Sequence, residues 1–296
     1  MKATASPQPL SGRRGVGVRQ WHKTLFIMMQ MRKSRVLKKL RAGETVSCIK
    51  INLTDPKVCE IAALAGFDCV WVDQEHIGQD WSVLAASVWA TKAHDTDILV
   101  RVPRGAYNNY IKPLELDATG IMVPHIMSLA DAEEIVHHTR FHPVGRRAID
   151  GGNADGGYTG VDFNAYLKEA NQQRFTILQI EDPEPLEELE AIAALPGYDM
   201  LFFGPGDFSQ GIGAPGVWDH PRLLETRTRI ADLAKKHGKF AGTVGGPGNV
   251  KELNETGYQF VSIGADVVGL KNYYSSLIQS FNGSNQTNNS SYLEKQ

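Results

Sequence analysis

The chain has 296 residues, 42% of them hydrophobic and 8% aromatic, and its 31 basic and 33 acidic side chains give a formal net charge of -2. That length and composition can bury one large core, the size of a single α/β barrel or of two smaller domains, and no apolar stretch approaches the roughly 18 residues a membrane span needs. The charge is uneven: 11 of the 31 Lys and Arg precede Glu44, the first acid, which leaves 20 bases against 33 acids, a net of -13, over the remainder, and an acidic body argues against a nucleic-acid partner.

Residues 1–30 are expected to be a disordered basic leader or the product of a start placed too far upstream, because Met28, Met29 and Met31 stand just before the first helical pattern, at 34–40. An acid-free, Arg-bearing leader also has the composition of an organelle transit peptide, or of a tail drawn to RNA or a membrane surface; it lacks the apolar region of a secretory signal. From Thr45 on, short β-rich runs alternate with amphipathic helical stretches. Strands are expected at 46–51, 69–72, 98–101, 120–123, 175–180, 200–203, 240–244 and 260–263. Helices are expected at 56–65, 81–93, 108–116, 129–138, 183–194, 221–237 and 249–256, with a last one at 273–281. Eight nearly continuous apolar strands, each followed by a helix, predict an α/β fold closed as a (β/α)8 TIM barrel over 31–281. No dinucleotide fingerprint follows the first strand, which weakens an open doubly wound sheet.

Between the fourth and fifth strands the spacing lengthens around the glycine-rich run 150–157, expected to be a mobile cover at the rim. Residues 282–296, rich in Asn, Ser and Gln, are expected to form a disordered tail. Cys48, Cys59 and Cys69 make an odd set without metal-site spacing and read as reduced core thiols of a cytoplasmic protein.

Four of the apolar runs stop at polar groups: 70–72 at Asp73 to His76, 98–100 at Arg101, 175–180 at Glu181, and 200–203 at Gly204 to Asp207. In a parallel barrel these groups converge on the C-terminal rim, where active sites lie. Glu181 and Asp207 end neighbouring strands, and two adjacent carboxylates repel unless a cation or a proton joins them. A hard divalent ion, Mg2+ or Mn2+, suits such a pair, and the absence of accompanying Cys or His argues against zinc. By position alone a salt-bridged or helix-capping acid fits equally well. His76 can move a proton near neutrality, and Arg101 offers a planar fork to a carboxylate. Metal, base and carboxylate clamp together describe a site that holds a 2-oxo acid and works through its enolate.

The runs 66–76 (Gly-Phe-Asp-Cys-Val-Trp-Val-Asp-Gln-Glu-His), 100–103 (Val-Arg-Val-Pro), 121–124 (Ile-Met-Val-Pro), 179–181 (Gln-Ile-Glu) and 204–209 (Gly-Pro-Gly-Asp-Phe-Ser) resemble, in consistent order from about Arg32 to Tyr274, the HpcH/HpaI family of metal-dependent pyruvate aldolases. The resemblance implies a phosphoenolpyruvate/pyruvate-type barrel, a homo-hexamer, and reversible cleavage of a 4-hydroxy-2-oxo acid to pyruvate and an aldehyde with Mg2+, Mn2+ or Co2+. It assigns Glu181 and Asp207 to the metal, Arg101 and Gln179 to pyruvate, His76 to proton transfer, and the backbone N–H groups near Gly206 and Asp207 to the pyruvate carboxylate. Two positions depart from the family. Glu115 stands where an Asp usually partners the catalytic His, and Lys50 stands on the first strand where an aromatic residue usually lies near the substrate. A barrel-strand lysine raises Schiff-base chemistry, but with a complete metal site an electrostatic role toward an acidic group on the aldehyde fits Lys50 better. A related lyase acting on acyl-CoA esters and a non-catalytic metabolite-binding barrel are the alternatives; the first would need a basic rim for the CoA phosphates.

Overall fold

The apolar runs form eight parallel strands in the computed structural model, which describes residues 29–286. They are β1 (Val46–Ile51), β2 (Cys69–Asp73), β3 (Asp97–Arg101), β4 (Gly120–Val123), β5 (Phe175–Ile180), β6 (Met200–Phe203), β7 (Phe240–Gly245) and β8 (Phe260–Ala265). Each pairs with the next and β8 closes on β1, giving the (β/α)8 barrel expected from the sequence. The helices are α1 (Arg35–Arg41), α2 (Pro56–Leu64), α3 (Trp81–Lys92), α4 (Tyr107–Glu115), α5 (Leu129–Thr139), α6 (Phe163–Gln173), α7 (Leu189–Ala194), α8 (Pro205–Gly211), α9 (Pro221–Lys236), α10 (Val250–Glu255) and α11 (Asp266–Gln286). Among the described residues no helix is long and apolar enough to cross a membrane.

Strand alternation sorts the core. Val70, Val72, Ile98, Val100, Leu201 and Phe203 face outward into the layer beneath the helices. Cys48, Cys69, Trp71, Leu99, Met122, Ile177, Met200, Phe202 and Phe260 fill the barrel interior. Gly120 is required there, since a Cβ would sit 2.1 Å from the Phe175 ring. At the N-terminal end α1 plugs the barrel with buried Val36, Leu37 and Leu40. The Ser34 hydroxyl accepts from the Leu37 N–H and donates to Asp97 at 2.6 Å, which fixes the plug to the foot of β3. Apolar middle layers and a plugged base leave the opposite mouth as the place where inward positions become polar.

Several expectations are corrected. The helix expected over 183–194 divides into a 3-10 turn at Glu184–Glu187 and α7, because Pro183 and Pro185 withhold the N–H groups that an α-helix would need. The short helices α6 and α8 were not expected. The last helix starts at Asp266 and runs to Gln286, so 282–286 are helical rather than part of a tail. Residues 1–28 of the expected leader and 287–296 of the expected tail lie outside the described residues.

The glycine-rich run 150–157 is not at the rim. It follows α5, which runs back from the mouth, and buried Asp155 anchors it at the N-terminal end through Arg147 (2.9 Å) and Arg174 (2.7 Å), the residue that precedes β5. Arg174 also reaches Asp117 at 2.5 Å, and the neighbouring cations hold the Asp155 carboxyl below its ordinary value against the opposing effect of burial. The run is therefore a pinned base element rather than a lid.

Candidate active site at the barrel mouth

The uppermost inward positions of β1, β2 and β3 are Lys50, Asp73 and Arg101. Register places Asp73 beside Arg101 and Lys50 beside Trp71. Arg101 donates to both Asp73 oxygens, Nε to Oδ1 at 3.0 Å and Nη2 to Oδ2 at 2.5 Å, and its Nε also lies 3.1 Å from Glu75. Lys50 Nζ stands 2.8 Å from Asp73 Oδ2. The Trp71 ring underlies both cations, 5.0 Å from the Arg101 guanidinium carbon and 5.2 Å from Lys50 Nζ. Burial pushes the Asp73 carboxyl up, but the hydrogen bond and charge of Arg101, helped by Lys50, outweigh it and hold the group at about 2. Burial works against the Arg101 charge, and Asp73, Glu75 and Glu181 together raise its pKa above the usual value. Because Asp73 occupies the Nε–Nη2 edge, the Nη1–Nη2 edge is the one left for a substrate.

Across the mouth, Glu181 follows β5 and Asp207 lies in the first turn of α8, after β6. Burial pushes the Glu181 carboxyl up, the charge and backbone N–H of His125 and the charge of Arg101 pull it down, Asp207 pushes it up, and together they leave it at about 7. Gln179 Nε2 donates to Glu181 Oε2, while Gln179 Oε1 is buried without a hydrogen-bond partner among the described residues. Gly204 makes room for this pair: a Cβ there would lie 2.6 Å from Glu181 Oε2 and 3.0 Å from Gln179 Nε2. One carboxylate is thus buried beside a second with too little compensating charge, next to an orphaned amide oxygen. Such an oxygen donor set fits a hard divalent ion that keeps open positions. Among the described residues no group of three or more His, Cys, Asp or Glu forms a closed cage. Gly206 and Asp207 open the first turn of α8, where backbone N–H groups have no intrahelical acceptor.

The sequence-predicted residues do not all meet. Lys50, Arg101, Gln179, Glu181, Gly206 and Asp207 share the mouth. His76 stands on its edge with 58% of its side chain exposed and Nε2 3.6 Å from Glu75. Glu115 is elsewhere. It ends α4 at the N-terminal side of the barrel, where its carbonyl accepts from Asp155 N–H. Burial raises its carboxyl pKa, the Arg147 charge lowers it, and Asp150 and Asp155 raise it further. About a strand length, roughly 13–17 Å, separates the two ends of the barrel, so within one chain Glu115 does not orient His76. The acid beside that ring is Glu75.

The sequence puts Asp73 and Glu75 in the polar run at the rim but gives them no role, and it does not point to His125. His125 follows Pro124 with a positive φ of 51°. Its Nδ1 lies 2.8 Å from Asp182, its Nε2 lies 3.4 Å from Glu75, and its backbone N–H donates to Glu181 Oε1 at 3.1 Å. Burial lowers the His125 pKa, and the hydrogen bond to Asp182 with the charges of Glu181, Asp182 and Glu75 raises it above the ordinary imidazole value. Asp73 was within reach: alternation along Cys69, Trp71 and Asp73 points all three inward. His125 carried no periodic signal.

This mouth can be set against known proteins. The sequence profile of the HpcH/HpaI aldolase/citrate lyase family matches residues 48–272. The chain belongs to this family. It is 32% identical over 240 residues to a hydroxypyruvate/pyruvate aldolase of Roseobacter denitrificans, a match covering 79% of this chain and 92% of that protein. A 2-keto-3-deoxy-L-rhamnonate aldolase of Klebsiella pneumoniae is 29% identical, covering 77% and 86%. The crystal structure of an HpcH/HpaI aldolase from Desulfitobacterium hafniense superposes with a TM-score of 0.78 at 28% identity, covering 82% of this chain and 95% of that one. By name these relatives are aldolases, which are carbon–carbon lyases.

Proposed function

We propose that the protein is a divalent-metal-dependent aldolase that reversibly cleaves a 4-hydroxy-2-oxo acid to pyruvate and an aldehyde. The observation that carries this reading is the facing arrangement of the mouth, with the Arg101 guanidinium on one side and the under-compensated Glu181, Asp207 and Gln179 Oε1 on the other. Names of relatives that act on pyruvate and on 2-keto-3-deoxy acids support it.

Glu181 and Asp207 would hold the ion, with Mg2+ or Mn2+ suiting the oxygen donors and Co2+ a third candidate. When bound, it supplies Lewis-acid polarisation of the keto oxygen and charge compensation for an enolate. The free edge of Arg101 and the Gln179 amide position the pyruvate half, and the N–H groups of Gly206 and Asp207 receive its carboxylate. In the cleavage direction the C4 hydroxyl loses its proton, the C3–C4 bond breaks, the aldehyde departs, and the bond's electron pair remains as the pyruvate enolate. His76 serves the proton transfers from the edge of the mouth. Lys50 faces the aldehyde half and stands in a salt bridge to Asp73. An orienting role for Glu115 requires that another copy bring it to His76, as in a homo-hexamer.

Exchange of the pyruvate C3 protons in D2O, with and without EDTA, tests the reading. Exchange that EDTA abolishes and Mg2+ or Mn2+ restores supports it. Metal-independent exchange, or a borohydride-trapped pyruvate adduct at Lys50, rejects it.

A further inference from the structure

Three helices, α1, α9 and α10, end at the base of the barrel beside the start of β7 and β8. Each closes in the same way. A glycine N–H donates to the carbonyl three residues back, and the next N–H donates to the carbonyl five back: Gly43 to Leu40 and Glu44 to Lys39, Gly238 to Lys235 and Lys239 to Ala234, Gly257 to Asn254 and Tyr258 to Leu253, all at 2.8–3.3 Å. The turn needs a left-handed backbone, and the three glycines supply it with φ of 77°, 66° and 99°. None of them carries a side chain, so the space between the helix ends stays open as a cavity of about 460 Å³ with Leu40 and Phe240 in its wall.

The charge on this cavity is one-sided. Arg41, Lys235 and Lys239 line it, and no carboxylate does. Arg41 donates to the Gln172 carbonyl at 2.8 Å and Lys239 to the Tyr198 carbonyl at 2.9 Å, neutral acceptors both, and among the described residues Lys235 Nζ has no partner. Glu44 is exposed beside Gly43 without lining the cavity, and Asp199, whose charge reaches Lys239, is bound to Arg140. Burial lowers the Lys239 pKa below its usual value; the Asp199 charge raises it and the Arg140 charge lowers it further. Cations at helix C-termini also answer the helix dipoles, but three ends carry at most about half a negative charge each, roughly -1.5 in all. Three cations exceed that by roughly one and a half charges.

We infer that this base cavity is a binding site for a small phosphomonoester, separate from the mouth. The surplus matches the charge of about -1.5 to -2 that a phosphomonoester carries near neutrality, and a carboxylate would leave part of it unanswered. Leu40 and Phe240 offer the organic part an apolar surface, and the side-chain amides of Asn254 and Gln259, also in the wall, can bond its hydroxyls. An occupant ties the plug helix α1 to α9 and α10, so binding stabilises the fold. The inference stands apart from the aldolase reading, because about a strand length separates base from mouth.

The test uses the full chain with Mg2+ at low salt and measures binding of phenyl phosphate and benzoate by calorimetry, with and without saturating pyruvate, in wild type, Arg41→Met and Lys235→Met. A charge-assisted hydrogen bond is worth roughly tenfold or more. Wild type should bind phenyl phosphate at millimolar concentration or below, tighter than benzoate by at least about tenfold, and salt should weaken it. Pyruvate should not displace it. Each variant should lose about tenfold in affinity for phenyl phosphate, and the rise in Tm that phenyl phosphate gives wild type should shrink with it, while pyruvate binding stays as in wild type. The inference is overturned by no binding at millimolar concentration, by benzoate binding as well as phenyl phosphate, by displacement with pyruvate, or by unchanged affinity in both variants. Should a variant not fold, the wild-type preference and its indifference to pyruvate still decide. Absence of pyruvate proton exchange would fail the aldolase reading and leave this inference standing, whereas exchange without phosphate binding at the base would fail this inference alone.

Discussion

Asp73→Asn tests whether the Lys50–Asp73–Arg101 cluster holds the mouth together. Two routes give the expected size. The folded carboxyl stands at about 2, against roughly 3.9 in an unfolded chain, and that difference of nearly two units corresponds to about 2.5 kcal/mol. Breaking one side of a buried ion pair costs about 3–5 kcal/mol, reduced here because Glu75 still faces Arg101 Nε at 3.1 Å. Both point to about 2–3 kcal/mol, a fall in Tm of roughly 5–10 °C for a domain of this size. The sign follows from linkage. A carboxyl with a depressed folded pKa stabilises above its unfolded value and loses that contribution as pH falls through about 4 toward 2. Urea unfolding of both proteins, followed by tryptophan fluorescence from pH 7 to pH 3, should show a gap that is constant down to about pH 5 and then narrows. A gap independent of pH, or no gap at pH 7, would refute the reasoning, since the cluster would then not be what ionised Asp73 stabilises.

His76→Ala should lower kcat for aldol cleavage by about 10²–10⁴ while pyruvate binding, followed by calorimetry, persists; an unchanged kcat would move the base to His125, the other imidazole against Glu75. Arg101→Lys keeps the charge but loses the planar fork, so it should raise KM for the oxo acid by about tenfold or more, mainly through binding, and an effect confined to kcat would contradict that role. Gly204→Ala has an allowed φ of -99°, yet its Cβ would meet Glu181 Oε2 at 2.6 Å. It should cost about 1–3 kcal/mol of stability and weaken Mn2+ binding, measured by paramagnetic relaxation; unchanged affinity would detach Glu181 from the metal.

The barrel was legible because each strand is a short apolar run followed by a helical pattern, and the four runs that stop at polar groups name Arg101, Glu181 and Asp207. Pairings across the mouth were not legible. Asp73 and Arg101 stand 28 residues apart, and only the register of β2 on β3 makes them neighbours. His125 enters the site because its backbone turns to a positive φ just past β4, a local bend that hydrophobic periodicity does not encode. The face on which a loop lies was misjudged for 150–157 because direction depends on whether the preceding helix has returned to the base, and the extra helix α6 hides that return. Glu115 carries the same lesson into function. Its position was transferred by resemblance as the partner of His76, but a resemblance carries over residue identity and place in the chain, not the copy on which the residue acts. With Glu115 fixed at the base among Arg147 and Asp155, the two groups can cooperate only where the base of one barrel meets the mouth of another. A Glu115→Gln defect that appears in assembled enzyme and disappears in dissociated barrels would locate the role between copies.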